Sequence, residues 1–146
     1  MPSSSSRRIW TFIGKALAIY GAWYVIYDLW LLPDGRLDEW LSLNVAWMTE
    51  NIMAAFGFDI YSVGRVVRPA GSGGVEIADG CNGLTTVGLF IGFVIAYPGT
   101  WIRRLAFIPI GILVIYATNV FRIVIMLLAL MYYPPAFDPL HGFGLT

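Results

Sequence analysis

Apolar positions in this 146-residue chain gather into three long runs separated by polar stretches. The first covers residues 9–32, after a Ser-rich tip and Arg7-Arg8. At 1.5 Å per residue it spans a hydrocarbon core of roughly 30 Å with room to tilt. Lys15 near its start can snorkel to the headgroups, and Asp28 near its end can reach the opposite surface. A basic start and an apolar core also describe a signal peptide. This core is longer than an h-region, however, and Pro33-Asp34-Gly35 is no small-x-small cleavage site, so the run reads as a retained anchor. The second run covers 81–98 and stops at Pro98-Gly99. The third, 105–133, is longer than a straight crossing needs, and its polar stretch, 119–122, is where a break is expected.

Residues 33–80 differ from these runs. Of the nine acidic residues, Asp34, Asp38, Glu39, Glu50, Asp59, Glu76 and Asp79 fall here. Within the segment, Leu37, Leu41, Val45, Met48, Ile52, Ala55 and Phe56 recur at helical spacing beside Trp40 and Trp47. This predicts an amphipathic helix at a membrane interface, and it fits equally a helix docked on its neighbours. Gly57 ends it. Two short β-prone runs, 61–67 and 75–78, flank Pro69-Ala70-Gly71-Ser72-Gly73-Gly74 and predict a hairpin resting on that helix or on the membrane surface.

Composition fits the runs: 58% hydrophobic and 12% charged residues, with a mean hydropathy of +0.72, are too apolar for a soluble domain of this length. The fold expected is an α-helical integral membrane protein: about three transmembrane helices plus an extracytoplasmic amphipathic helix and a short β-hairpin. Zero net charge and no basic patch argue against nucleic acid as a partner. One cysteine excludes an intramolecular disulfide, and one histidine beside it argues against a structural zinc site or a bis-imidazole haem. The basic pairs Arg7-Arg8 and Arg103-Arg104 place both 1–8 and the loop 99–104 in the cytoplasm by the positive-inside rule. Residues 33–80 and 134–146 are then outside.

The candidate chemistry starts at Cys81, where a polar Gly-rich stretch enters the second run. In the first turn of a helix a thiol meets unsatisfied amides and the positive end of the dipole, and both favour the thiolate. A lone cysteine also fits as a small buried hydrophobe. Cys81, Thr85, Gly88 and Gly92 would share one helix face, on which the two glycines allow a neighbouring helix to approach closely. In the third run, Arg122 is an ionisable residue inside an apolar segment, which marks a function or a partner. It also fits a snorkelling arginine or an ion pair with Asp28. Asn119, one turn away, could orient it. Arg122 lies eighteen residues beyond Arg104 and Cys81 sixteen before Tyr97, about 27 Å and 24 Å along their helices. Thiol and guanidinium are thus expected at one level near the outer face, and His141, the only histidine, falls on the same side. An imidazole can move a proton for a thiol, and an arginine can donate to the oxyanion formed when a thiolate attacks a carbonyl.

Cys81-Asn82-Gly83 opening one membrane helix, Asn119-Val120-Phe121-Arg122 in the next and His141 beyond resemble the Cys, Arg and His signature of the exosortase/archaeosortase family of membrane cysteine transpeptidases. The resemblance covers 80–141 and suggests a compact or truncated member. It implies Cys81 as nucleophile, Arg122 as transition-state stabiliser and His141 as proton-transfer residue, with Asn82, Asn119 and Thr85 in support and no metal or organic cofactor. It further implies a substrate: an exported protein with a C-terminal sorting signal, cleaved at the outer face of the cytoplasmic membrane. The alternative is a non-catalytic structural or assembly subunit of a larger membrane complex, with other membrane subunits as partners. A transporter fits less well, because three helices enclose little space.

Overall fold

In the computed structural model, residues 4–71 and 73–133 are described. The chain is mostly helical, with one small sheet. It divides into two compact units: the described residues up to Asp34 together with Thr85–Val114, and Gly35–Leu84 together with the described residues from Ile115 onward.

The first unit contains α1 (Ser4–Ile26), a π-helical turn (Tyr27–Leu31) and α2 (Leu32–Asp34). It also contains most of α4 (Leu84–Ala96) and the first part of α5 (Trp101–Tyr132). Pro33 does not end the first run as expected; it sits inside it. A proline ring collides with the carbonyl four residues back and offers no N–H, so the preceding turn widens. The Leu32 N–H accordingly bonds the Tyr27 carbonyl, five residues back. The chain leaves the helix at Gly35, with φ of 67°, a conformation that a side chain would resist.

Two stretches are long and apolar enough to cross a membrane, Ile9–Asp34 and Trp101–Tyr132. The third helix expected is shorter. At 13 residues, α4 is about 20 Å long against a core of roughly 30 Å. Within this unit α4 takes α1 on its small-residue stripe. The Trp23 ring covers Gly88, and Ile19 lies over Gly92, where an added Cβ would stand 2.7 Å from Ile19 Cγ2. Phe12 meets Phe93 edge-on, with centroids 6.0 Å apart. Large apolar side chains such as Ile102 (81% exposed) and Leu105 (70% exposed) face outward, as they do on a surface that lipid covers.

Helix α5 differs from expectation at its start and in its interior. Residues 101–104 are not a loop but the first turn of α5, and α5 runs unbroken through 119–122. Nothing in Asn119-Val120-Phe121-Arg122 resists helix. The interior proline is Pro109, well before that stretch.

The second unit contains α3 (Arg36–Ala55), strands β1 (Ile60–Val63), β2 (Val66–Pro69) and β3 (Val75–Glu76), and the later part of α5. The expected single hairpin is a three-stranded antiparallel sheet in the order β1-β2-β3. The run 61–67 folds back on itself, because Val63 pairs with Val66 around a two-residue turn. Gly64 there has φ of 60°, the sign a tight hairpin asks of its first central residue. Val45, Met53, Val67, Ile77, Ile123 and Leu127 are among the residues that close one core between α3, the sheet and α5.

Helix α3 is rotated from its expected apolar stripe: Val45 is in the core and Met48 and Ile52 pack against it, while Leu37, Ala55 and Phe56 are exposed. Its buried side is Asp38, Ser42, Val45, Ala46, Thr49 and Met53, while Trp40, Leu43 and Trp47 are exposed. In a membrane protein the outer surface need not be the polar one, so the apolar count does not tell inside from outside. Polar side chains can then sit inward where they find partners.

Candidate active site

The loop between β3 and α4 carries Cys81, and the second unit holds it from three sides. On one side, Asp79 pairs with Arg65, whose Nη2 also donates to Ser42 Oγ at 3.1 Å. On another, Asn82 is almost fully buried (1% exposed). Its Nδ2 donates to Asp38 Oδ1 at 2.8 Å and to the Asp38 carbonyl at 3.2 Å. Its Oδ1 accepts the Leu84 N–H at 2.9 Å, satisfying a donor that the first turn of α4 leaves open. On the third, Arg122 Nη2 donates to the Cys81 carbonyl at 3.0 Å. Backbone completes the fixation, with the Cys81 N–H bonded to the Ala78 carbonyl at 3.0 Å.

Cys81 is therefore not in the first turn of a helix. Gly80 and Gly83 have φ of 80° and 87°, left-handed values that no helix interior accommodates, and α4 begins only at Leu84. The face expected to join Cys81, Thr85, Gly88 and Gly92 lacks its first member, and first-turn amides do not stabilise a thiolate here. The thiol is half-buried in a loop.

The structure brings Cys81 and Arg122 together, with Asn82 and Asn119 beside them. Asn119 does not orient Arg122, as the sequence suggested. It packs against Gly83, where an added Cβ would lie 3.6 Å from Asn119 Cγ. Its Nδ2 is buried with no hydrogen-bond partner among the described residues, and the same holds for Arg122 Nε. Two donors beside the Cys81 loop thus have capacity to spare, in surroundings where an unmatched donor costs about 1–3 kcal/mol. Thr85 belongs to the other unit, half-buried in the first turn of α4. His141 lies outside the described residues.

Asp38, Ser42 and Arg65 were not anticipated. The legible signal was Asp38 and Ser42 at i and i+4, one polar stripe on a helix whose remaining faces are largely apolar. Among the described residues no three His, Cys, Asp or Glu side chains gather as metal ligands.

A fixed cysteine loop latched by an arginine from an apolar helix is the arrangement that a comparison with known families can identify. The model of the transmembrane exosortases matches the chain over residues 4–144. The chain belongs to that family. As an exosortase it is a membrane protein, in a family whose chemistry is cysteine transpeptidation. No curated protein and no solved structure matches it.

Proposed function

We propose that this exosortase is a membrane cysteine peptidase or transpeptidase that cleaves the C-terminal sorting signal of exported proteins at the outer face of the cytoplasmic membrane. The observation that carries the reading is the 3.0 Å bond from Arg122 Nη2 to the Cys81 carbonyl, which joins the lone cysteine to the arginine of the longest apolar helix.

In this scheme the Cys81 thiolate attacks the scissile carbonyl carbon, and the oxyanion that forms is met by donors preorganised beside the loop. Arg122 spends one N–H on the Cys81 carbonyl and keeps others; Asn119 Nδ2 supplies a second candidate donor. Collapse of the adduct leaves a thioester on Cys81 and expels the C-terminal fragment as an amine, which takes a proton from His141. An acceptor amine, or water, then gives its proton to His141 as it attacks the thioester, and sulfur leaves as the thiolate, which restores the starting pair of thiolate and protonated imidazole. Asn82 and the Asp38 pair position the nucleophile's loop and touch no substrate. In this reading the chain crosses the membrane through Ile9–Asp34 and Trp101–Tyr132 and a third time through the shorter α4 with its flanking residues, with Arg103 on the cytoplasmic side and Cys81 outside.

The test is processing of a tagged sorting-signal substrate in cells carrying the full chain or its Cys81→Ala variant. Cys81→Ala is expected to abolish the cleaved product while the protein remains membrane-inserted; cleavage at the wild-type rate would overturn the reading. The assembly-subunit reading draws on the same Arg122 bond as a purely structural latch. It predicts normal co-purification with a membrane complex from Cys81→Ala cells and a thiol inert to a membrane-impermeant reagent.

A further inference from the structure

The first unit carries cationic residues that the proposed chemistry does not use. Two cavities adjoin Pro98, one of about 320 Å³ and one of about 360 Å³. The first has an apolar wall that includes Phe93 and Phe107 and a rim holding Arg103 and Arg104. The second is lined by Arg7, Thr11, Phe12 and Lys15, with Ala96 and Pro98. Four cations therefore border two neighbouring hollows. The only acidic residues in this unit are Asp28 and Asp34. Asp28 is thirteen residues beyond Lys15, about 20 Å along the helix.

Arg104 is held ready. Its Nη2 donates to the Tyr97 carbonyl at 2.8 Å, and its guanidinium lies 5.0 Å from the Trp101 ring centroid. Its Nε is buried without a hydrogen-bond partner among the described residues. Arg103 and Lys15 are exposed.

A ligand for this place must be anionic at one end and apolar at the other. We infer that the two cavities around Pro98 bind an anionic phospholipid of the leaflet that faces Arg103, with phosphate among Arg103, Arg104, Arg7 and Lys15 and acyl chains along Phe93 and Phe107. Charge complementarity selects this occupant. A zwitterionic lipid would bring its own cation to a site already holding four, and a free phosphate would leave the aromatic wall wet. Basic pockets between membrane helices commonly take phosphate headgroups.

Native mass spectrometry of the full chain, exchanged into equimolar phosphatidylglycerol and phosphatidylcholine of equal chain length, tests the inference. Preferential retention of phosphatidylglycerol is expected. The double variant Lys15→Gln/Arg103→Gln should lower that preference roughly thirtyfold, the product of two cations at about 1 kcal/mol each and about tenfold per 1.4 kcal/mol. Thermal unfolding in the presence of inorganic phosphate separates the sources: phosphatidylglycerol should raise the midpoint and inorganic phosphate should not. Equal retention of both lipids, or equal stabilisation by inorganic phosphate, would overturn the proposal. Should the variant fold poorly, the salt dependence of wild-type retention serves instead. Preference that falls as salt rises is expected, and preference indifferent to salt would refute it.

Discussion

Replacing Asn82 isolates the force that keeps the cysteine loop in place. The side chain is buried, donates to Asp38 Oδ1 at 2.8 Å and caps the Leu84 N–H at 2.9 Å. Losing a capping oxygen costs about 1 kcal/mol. Withdrawing the amide from the wholly buried Asp38 carboxyl removes a bond of the stronger kind, worth about 1.5–3 kcal/mol. Asn82→Ala should therefore lose about 3 kcal/mol, which at this chain length corresponds to a fall in midpoint of roughly 10 °C. Asn82→Asp keeps the cap oxygen but sets a second carboxyl against Asp38, so it should be at least as damaging. The exchange Asp38→Asn/Asn82→Asp restores one donor facing one acceptor and should recover most of the loss. Thermal unfolding of the purified chain in detergent, followed by circular dichroism, measures all four proteins. An Asn82→Ala change within about 0.5 kcal/mol of wild type, the level of an inconsequential surface substitution, would refute the reasoning. So would an exchange no better than Asn82→Asp alone.

Two further substitutions probe the backbone and the helix contact. Gly83→Ala forces a side chain onto a residue with φ of 87° and should cost about 1–2 kcal/mol, read as a lower unfolding midpoint; because the nearest side-chain atom is 3.6 Å from the added Cβ, the loss is conformational and Gly83→Asn should be milder than Gly83→Val. Gly88→Ala drives a methyl into the Trp23 ring and should cost about 1–3 kcal/mol by overpacking; Trp23→Phe in the Gly88→Ala background should restore part of it, in the same unfolding assay.

The parts of this fold that can be read from its letters are those in which backbone chemistry or the length of an apolar run decides. Arg36–Ala55 is helical and ends before a left-handed Gly57, as its spacing and its glycine require. The apolar runs mark the two helices long enough to cross a membrane. What cannot be read is which way a helix faces when the surroundings are not water alone. Counting apolar residues on α3 selected the stripe of Leu37, Leu41, Val45, Met48, Ile52, Ala55 and Phe56, of which Val45 is in the core, yet the protein also turns Asp38, Ser42 and Thr49 fully inward. The reason lies 40 residues or more away: Asn82 needs an acceptor, and Asp38 provides it. The same distance effect explains the loop at Cys81. Locally, Cys-Asn-Gly before a long apolar run looks like the start of a helix. The Asn82 side chain instead bonds across to α3 and forward to Leu84, while Gly80 and Gly83 take conformations that keep the segment out of the helix. In the role proposed for it, a cysteine in a loop pinned on three sides gains fixed position, which is what proximity in catalysis depends on. Position, rather than a helix dipole acting on sulfur, is then the contribution the fold makes to Cys81. Asn82→Ala should accordingly reduce substrate processing in proportion to the mobility it gives the loop, whereas Gly88→Ala, placed in the other unit, should lower stability without that effect.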